Sequence, residues 1–341
     1  MSDGGTVLVT GGSGYIGGWC VIGLLQQGYN VRATVRDLSR EAAVRTNLAK
    51  VADPGNRLSF YAANLTSDDG WDAATEGCDY VLHVASPLGV AEPKDPNELI
   101  VPARDGAKRA INAAIKAGVK RIVMTSSVAA TSKTDAGRDS LSDETVWTDP
   151  SAPGVSAYSQ SKTIAERAAW DLIAASGGST TLATVNPALV LGPVLSGDYS
   201  ESVQVVERLM SGRVPGLPRI GFNIVDARDV ADLHIRAMTA PEAAGQRFIA
   251  AGQFAWMADM AALLKARLGT EAAKVPTRKV PDFVLRIAGL FDKDLGSVTG
   301  SLGQKHDFSS AKAQDMLGWR PRPMEDTVLD CAKSLVANGL V

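Results

Sequence analysis

Short apolar runs alternate along the first half of the chain with longer stretches whose apolar residues recur at helical spacing. The runs Val7-Leu8-Val9, Val31 to Val35, Leu58 to Ala62, Tyr80 to Val84, Arg121 to Thr125 and Leu182 to Val185 read as six strands. Between them lie helix-spaced segments, among them Trp19 to Leu25 and the alanine-rich Ala103 to Ala117, which Gly118 closes as a C-cap. Tyr80-Val81-Leu82-His83-Val84 is almost continuously apolar, as a parallel strand covered on both faces must be. Strand and helix in regular alternation, with no internal repeat, predict an α/β fold with a doubly wound parallel sheet.

The rhythm breaks near residue 190, where Gly192-Pro193 marks an exit from the sheet. Val203 to Met210 and Trp256 to Leu268 read as helices, and Ile224 to Ala231 reads as a strand entering a helix with Asp229 in its first turn. Arg247 to Ala250 is strand-like, residues 270–305 are irregular, and Ser309 is placed to cap a helix that Gly318 stops. The expected organisation is a dinucleotide-binding domain over 1–190 and a smaller substrate lobe over 191–341, with about 222–250 returning to the sheet domain. The polar segment 130–157 is a long excursion placed to cover the mouth of a site at the carboxyl ends of the strands.

The first strand runs into Thr10-Gly11-Gly12-Ser13-Gly14-Tyr15-Ile16-Gly17 and then into a helix. Strand, glycine turn and helix in that order form a dinucleotide fingerprint. Gly11 suits the tight turn, Gly14 lets the backbone approach a pyrophosphate, and Gly17 allows close packing. The free N–H groups of the helix N-terminus then face the phosphates. An acidic residue about 20 positions after the turn would hold adenine ribose hydroxyls, but Arg36 stands there instead, a fixed positive fork suited to a 2′-phosphate. This points to NADPH, with NADH as the alternative given Asp37 next door; Arg40 is a possible helper. Asn64, ahead of Leu65, reads equally as an adenine contact and as a turn asparagine.

Composition removes several function classes. A net charge of −2 without any basic block gives no general attraction to nucleic acid or to an anionic membrane. No apolar run approaches the ~20 residues of a membrane span. Cys20, Cys78 and Cys331 are far apart and lack metal spacing, so they read as core residues in a reducing, cytoplasmic setting, and no metal site is expected. Met1 to Gly5 leads straight into the first strand with no signal segment.

The chemistry falls to three residues. Thr125-Ser126-Ser127 ends the fifth strand, and Tyr158-Ser159-Gln160-Ser161-Lys162 begins a helical run. Tyr158 and Lys162, four apart, share a helix face. A lysine one turn away favours the phenolate and is expected to lower the tyrosine pKa from ~10. It also suits the nicotinamide ribose hydroxyls, and a serine hydroxyl suits a substrate oxygen. Such a set beside a nicotinamide serves carbonyl reduction. His83, inside its strand, reads as a packed histidine rather than a base.

These motifs make the chain similar to the extended short-chain dehydrogenases/reductases, in the dihydroflavonol reductase-like group that includes aldehyde and ketone reductases. The resemblance rests on Val9 to Gly17, Val31-Arg32-Ala33-Thr34-Val35-Arg36-Asp37, His83-Val84-Ala85-Ser86-Pro87, Thr125-Ser126-Ser127, Tyr158 to Lys162 and Asn186 to Pro193. It implies a Rossmann sheet, NADPH bound through Arg36, Ser127 rather than Ser126 as the catalytic serine, and Val84, Ala85, Ser86 and Pro187 near the nicotinamide. Further cofactor contacts are expected from Thr10, Gly11, Gly14, Tyr15, Ile16, Gly17, Asn64, Leu65, Tyr158 and Lys162. Where plant flavonoid-reducing members carry an asparagine, this chain has Ser132. Where cinnamoyl-CoA reductases carry Asn-Trp-Tyr-Cys, it has Pro153-Gly154-Val155-Ser156-Ala157. Both departures argue against those two substrate classes, and Asn64 replaces the group's usual acidic residue.

The expected activity is NADPH-dependent reduction of small or medium, partly apolar aldehydes and ketones by a monomer or homodimer, with Leu195, Tyr199 and Phe222 as candidate pocket walls. The alternatives on the same fold are an NAD-dependent sugar-nucleotide epimerase/dehydratase or a hydroxysteroid dehydrogenase, and a non-enzymatic NADP-binding sensor.

Overall fold

A computed structural model describes residues 4–87, 93–133, 139–289 and 299–341. Parts of the 130–157 excursion and of the irregular 270–305 stretch therefore lie outside the described residues. The elements in chain order begin β1 (Thr6–Thr10), α1 (Tyr15–Gln26), β2 (Asn30–Val35), α2 (Glu41–Ala49), β3 (Leu58–Ala62), α3 (Trp71–Thr75), β4 (Tyr80–His83), α4 (Asn97–Lys116) and β5 (Arg121–Thr125). They continue with β6 (Asp139–Ser142), α5 (Ala157–Ser176), β7 (Thr181–Pro187), β8 (Leu189–Leu191), α6 (Gln204–Met210), β9 (Gly221–Asp226), α7 (Ala227–Thr239), β10 (Gln246–Ala250) and β11 (Phe254–Trp256). The chain closes through α8 (Met257–Leu268), α9 (Asp282–Ala288), β12 (Lys305–Phe308), α10 (Ala311–Leu317) and α11 (Met324–Ala337).

Seven strands form the central sheet in the order β10-β7-β5-β4-β1-β2-β3, and every pairing in it is parallel. The order reverses between β1 and β4, so the carboxyl ends of these two strands open a crevice of the kind that takes ligands in such sheets. Its rim is Thr10 and His83, which are register partners. The six strands expected from the pattern are present; the seventh, β10, comes from the later half and pairs with β7.

Helices cover both faces. On one, α1 packs against α7; on the other, α4 packs against α5 through Ala103, Ala107, Ala165 and Ala169, whose small side chains let the backbones approach. Helix α4 starts at Asn97, upstream of the predicted Ala103, and contains Pro102. Proline forfeits one helical N–H there, but Leu99 and Ile100 are buried and anchor the first turns. The helix after Ser309 begins at Ala311, whose N–H donates to the Ser309 hydroxyl, with Ser310 in the cap position.

The remaining strands form small sheets. β9 lies between β8 and β11, and β6 pairs in parallel with β12. The polar excursion is thus tied by a short ladder to a strand far along the chain. Its other end is held by Thr148, whose hydroxyl donates to Ala129 and accepts from the N–H of Ser132.

Candidate active site

The glycine turn is shaped by what a side chain would strike. Gly11 has φ +68°, in the left-handed region, and a Cβ on it would meet the Ala85 Cα at 3.0 Å. At Gly17 a Cβ would lie 2.2 Å from the Gly11 carbonyl oxygen. The close approach expected of Gly17 is thus to the turn itself; Gly12 makes the approach to the neighbouring strand, where a Cβ would lie 2.6 Å from Ala33 Cβ. Gly14 is the N-cap of α1, with no side-chain cap and no acidic residue in the first turn. The first amides of α1 therefore keep their affinity for an anion. A cavity of about 50 Å³ lies beside the turn, lined by Gly12, Ser13, Gly14, Arg40 and Leu195 among others. Leu195, expected as a substrate wall, instead faces Gly18 of α1. Tyr199 and Phe222 are half-buried against the main core.

Side chains brace this end from below. The Thr10 hydroxyl accepts from the Ala85 N–H at 3.0 Å and bonds His83 Nδ1 at 2.9 Å. Burial pushes the His83 imidazole down to about 4, with Lys162 adding to the shift, so His83 is a neutral packing group at neutral pH. The Tyr15 hydroxyl donates to the Gly192 carbonyl at 2.8 Å and ties the turn to the later half.

Arg36 is exposed, one residue past β2. The Asp37 carboxylate accepts from the Ser39 N–H at 2.8 Å, capping a short turn. Arg40 forms an ion pair with Asp198. The Asn64 side-chain oxygen accepts from the N–H and hydroxyl of Thr66, so it serves the turn reading, and Leu65 is half-buried.

The other end holds Ser127, Tyr158 and Lys162 together. Ser127 follows β5 and caps a 3-10 turn at Val128–Ala130, accepting from the Ala129 N–H at 3.1 Å. Ser156 caps α5, so Tyr158 and Lys162 lie in its first turns. Tyr158 is 36% exposed and Lys162 only 6%. Lys162 Nζ donates to the Ser86 hydroxyl at 3.0 Å and sits 5.8 Å from the centre of the Tyr158 ring. Val84 and Ala85 are half-buried beside Ser86, and Pro187 is buried at the end of β7.

The electrostatics differ from the expected lysine pull. Burial pushes the Tyr158 phenol above its ordinary value; a hydrogen bond with Ser127 pulls it back, and the Glu201 carboxylate adds to the rise. Burial also pushes the Lys162 ammonium down to about 8, against the pull of Glu166. Burial is the largest cause of both shifts, and Lys162 Nζ is bonded to Ser86.

Residues 7–251 match the family described as the NAD dependent epimerase/dehydratase family. The chain belongs to that family. It is an NAD(P)-dependent reductase among the extended short-chain dehydrogenases/reductases. It is 32% identical to cinnamoyl-CoA reductase 1 of Arabidopsis thaliana, over 98% of this chain and 90% of that one. It is 33% identical to dihydroflavonol 4-reductase of Zea mays, over 100% of this chain and 91% of that one. The structure of the yeast methylglyoxal/isovaleraldehyde reductase Gre2 complexed with NADPH is similar, with a TM-score of 0.79, 25% identity and coverage of 98% of this chain and 100% of that one.

In this extended short-chain reductase the sequence reading missed a buried polar group next to the candidate residues. Glu166, fully buried, bonds Arg247, Asn186, Thr184 and Ser126. The signal was present: Glu166 continues the four-residue step of Tyr158 and Lys162. A larger hollow of about 390 Å³, lined by Asp143, Glu144, Gln246, Arg247 and Lys312 among others, contains none of the predicted site residues. Among the described residues no cluster suits a metal, and no helix is long and apolar enough to cross a membrane.

Proposed function

We propose that this reductase converts aldehydes and ketones to alcohols with NADPH, using Ser127, Tyr158 and Lys162. The observation that carries the reading is the Tyr158 ring on α5 with the buried Lys162 ammonium 5.8 Å from its centre, at the same carboxyl end of the sheet as Ser127 after β5. The uncapped glycine turn suits a pyrophosphate, and the exposed Arg36, with Asp37 engaged elsewhere, suits a 2′-phosphate.

When bound, NADPH supplies the hydride. Ser127 donates to the carbonyl oxygen and stabilises charge as it develops. Tyr158, whose raised pKa keeps it protonated at neutral pH, delivers the proton. Lys162 is placed to hold ribose hydroxyls together with Ser86 and to restore the Tyr158 proton.

The test is oxidation of NADPH and NADH against a panel of aliphatic and aromatic aldehydes and ketones. Turnover of at least one carbonyl with preference for NADPH is the expected outcome, and no turnover with either cofactor overturns the reading. Arg36→Asp is expected to cut the NADPH preference about tenfold or more; an unchanged preference overturns the phosphate assignment. The identity to cinnamoyl-CoA reductase 1 favours a second reading, reduction of an aryl-acyl CoA thioester, so such a thioester belongs in the panel.

A further inference from the structure

Tyr158, Lys162 and Glu166 stand at successive four-residue steps on one face of α5. Glu166 Oε2 accepts from the Ser126 hydroxyl and from Asn186 Nδ2, the latter at 2.9 Å. Glu166 Oε1 accepts from Thr184 Oγ1 at 2.9 Å and Arg247 Nε at 2.7 Å. Asn186 Nδ2 donates a second bond, at 3.1 Å, to the backbone carbonyl of Ser127. Arg247 reaches from β10 to the carbonyls of Ala130, Glu144 and Val146, and its guanidinium lies 3.7 Å from the centre of the Trp147 ring.

A buried ion pair is a poor device for stability alone. Its desolvation offsets most of the attraction, and apolar replacements are often as stable. Here the carboxylate is fully satisfied, and satisfied buried networks specify geometry. The geometry in question is local to the proposed reaction: side chains from α5, the β5 exit, β7 and β10 meet at Glu166, and Asn186 links them to the Ser127 backbone. A pair serving only to fasten the edge strand β10 would need no link to the Ser127 backbone.

We propose that Glu166 is a positioning residue for carbonyl reduction: oriented by Arg247, it holds Ser126 and Asn186, and through them sets where the Ser127 hydroxyl stands relative to Tyr158. The proposal rests on the assignment of Ser127 and Tyr158 made above. Glu166 touches neither substrate nor cofactor in this role. Its effect is on the position of the Ser127 hydroxyl relative to the phenol, which a small displacement of the β5 exit would change.

The experiment compares wild type, Tyr158→Phe, Glu166→Gln, Asn186→Leu and Arg247→Lys. For each, kcat and KM are measured with a ketone that wild type reduces, NADPH affinity by tryptophan quenching, and Tm by scanning calorimetry. Glu166→Gln disturbs the carboxylate, Asn186→Leu removes the relay to Ser127 together with one bond each to Glu166 and Thr184, and Arg247→Lys keeps a cation for Glu166 while giving up carbonyl bonds. Glu166→Gln and Asn186→Leu are expected to lower kcat by about tenfold to a hundredfold, leaving ketone KM and NADPH affinity within about twofold. Their combination should cost no more than the larger single loss, since both act along one chain of bonds. Arg247→Lys is expected to lose Tm yet keep most of kcat.

If Glu166→Gln does not fold, Asn186→Leu carries the same test. Wild-type kcat in a folded Glu166→Gln or Asn186→Leu, or kcat falling in step with Tm across all three variants, overturns the proposal. A wild type inert to every carbonyl overturns the assignment beneath it and the proposal with it. A working wild type silenced by Tyr158→Phe, beside an unaffected Glu166→Gln, overturns the positioning role alone.

Discussion

The two ends of the crevice are held by different kinds of contact. At the glycine turn backbone is what is presented, and side chains matter by their absence: a Cβ at Gly11 or Gly17 would strike Ala85 or the turn's own carbonyl. At the end proposed for the reaction side chains are what is presented, and the backbone serves to aim them. Ser127, Tyr158 and Lys162 come from two elements, braced from behind by Glu166, Asn186 and Arg247 from three. One end is therefore sensitive to added atoms and the other to removed ones. Damage at the first should fall on cofactor affinity, and damage at the second on turnover.

The sharpest break in that comparison is Tyr158→Phe. Removing one oxygen is expected to lower kcat by about 10²–10⁴-fold, with NADPH affinity by fluorescence titration nearly unchanged. Retained turnover would mean that another group delivers the proton.

Gly17→Ala is the complementary change. Its Cβ, 2.2 Å from the Gly11 carbonyl, forces the turn to open. NADPH affinity is expected to weaken about tenfold or more, while kcat at saturating NADPH stays within a few-fold. A fall in kcat with unchanged affinity would contradict the division between the ends.

The pH profile gives the smallest effect. The Lys162 ammonium, lowered to about 8, is charged below that pH and lost above it, whereas the raised Tyr158 phenol stays protonated further into the alkaline range. Reduction should be level near neutrality and fall above pH ~8. Lys162→Met should remove that limb along with most of the rate, and a limb that survives the substitution would belong to another group.

The same contrast explains what could be read from the chain alone. The glycine turn is local: strand, turn and helix are contiguous, so residue spacing carries the geometry. The central strands β1, β4 and β7 are legible for a similar reason, since burial on both faces makes them largely apolar, while β2, β3 and β5 are legible from shorter apolar runs between helix-spaced segments. Tyr158 and Lys162 are legible because one helix turn links them. Arg247 and Glu166 are not, because their meeting depends on β10 pairing with β7, which sets residues 81 apart side by side. The start of α4 was misread because Pro102 breaks the pattern while buried Leu99 and Ile100 hold the helix. The expected lysine pull on Tyr158 failed because sequence shows proximity along a helix but not the desolvation of both groups.

The central claim, hydride transfer to a carbonyl at Ser127 and Tyr158, is tested most directly by isotope. Carbonyl substrate is incubated with NADPH deuterated at the transferring C4 position, and the alcohol is examined by mass spectrometry. The account predicts one deuterium on the carbinol carbon with wild type and almost no alcohol with Tyr158→Phe. Alcohol without deuterium, or full labelled product from Tyr158→Phe, would contradict it.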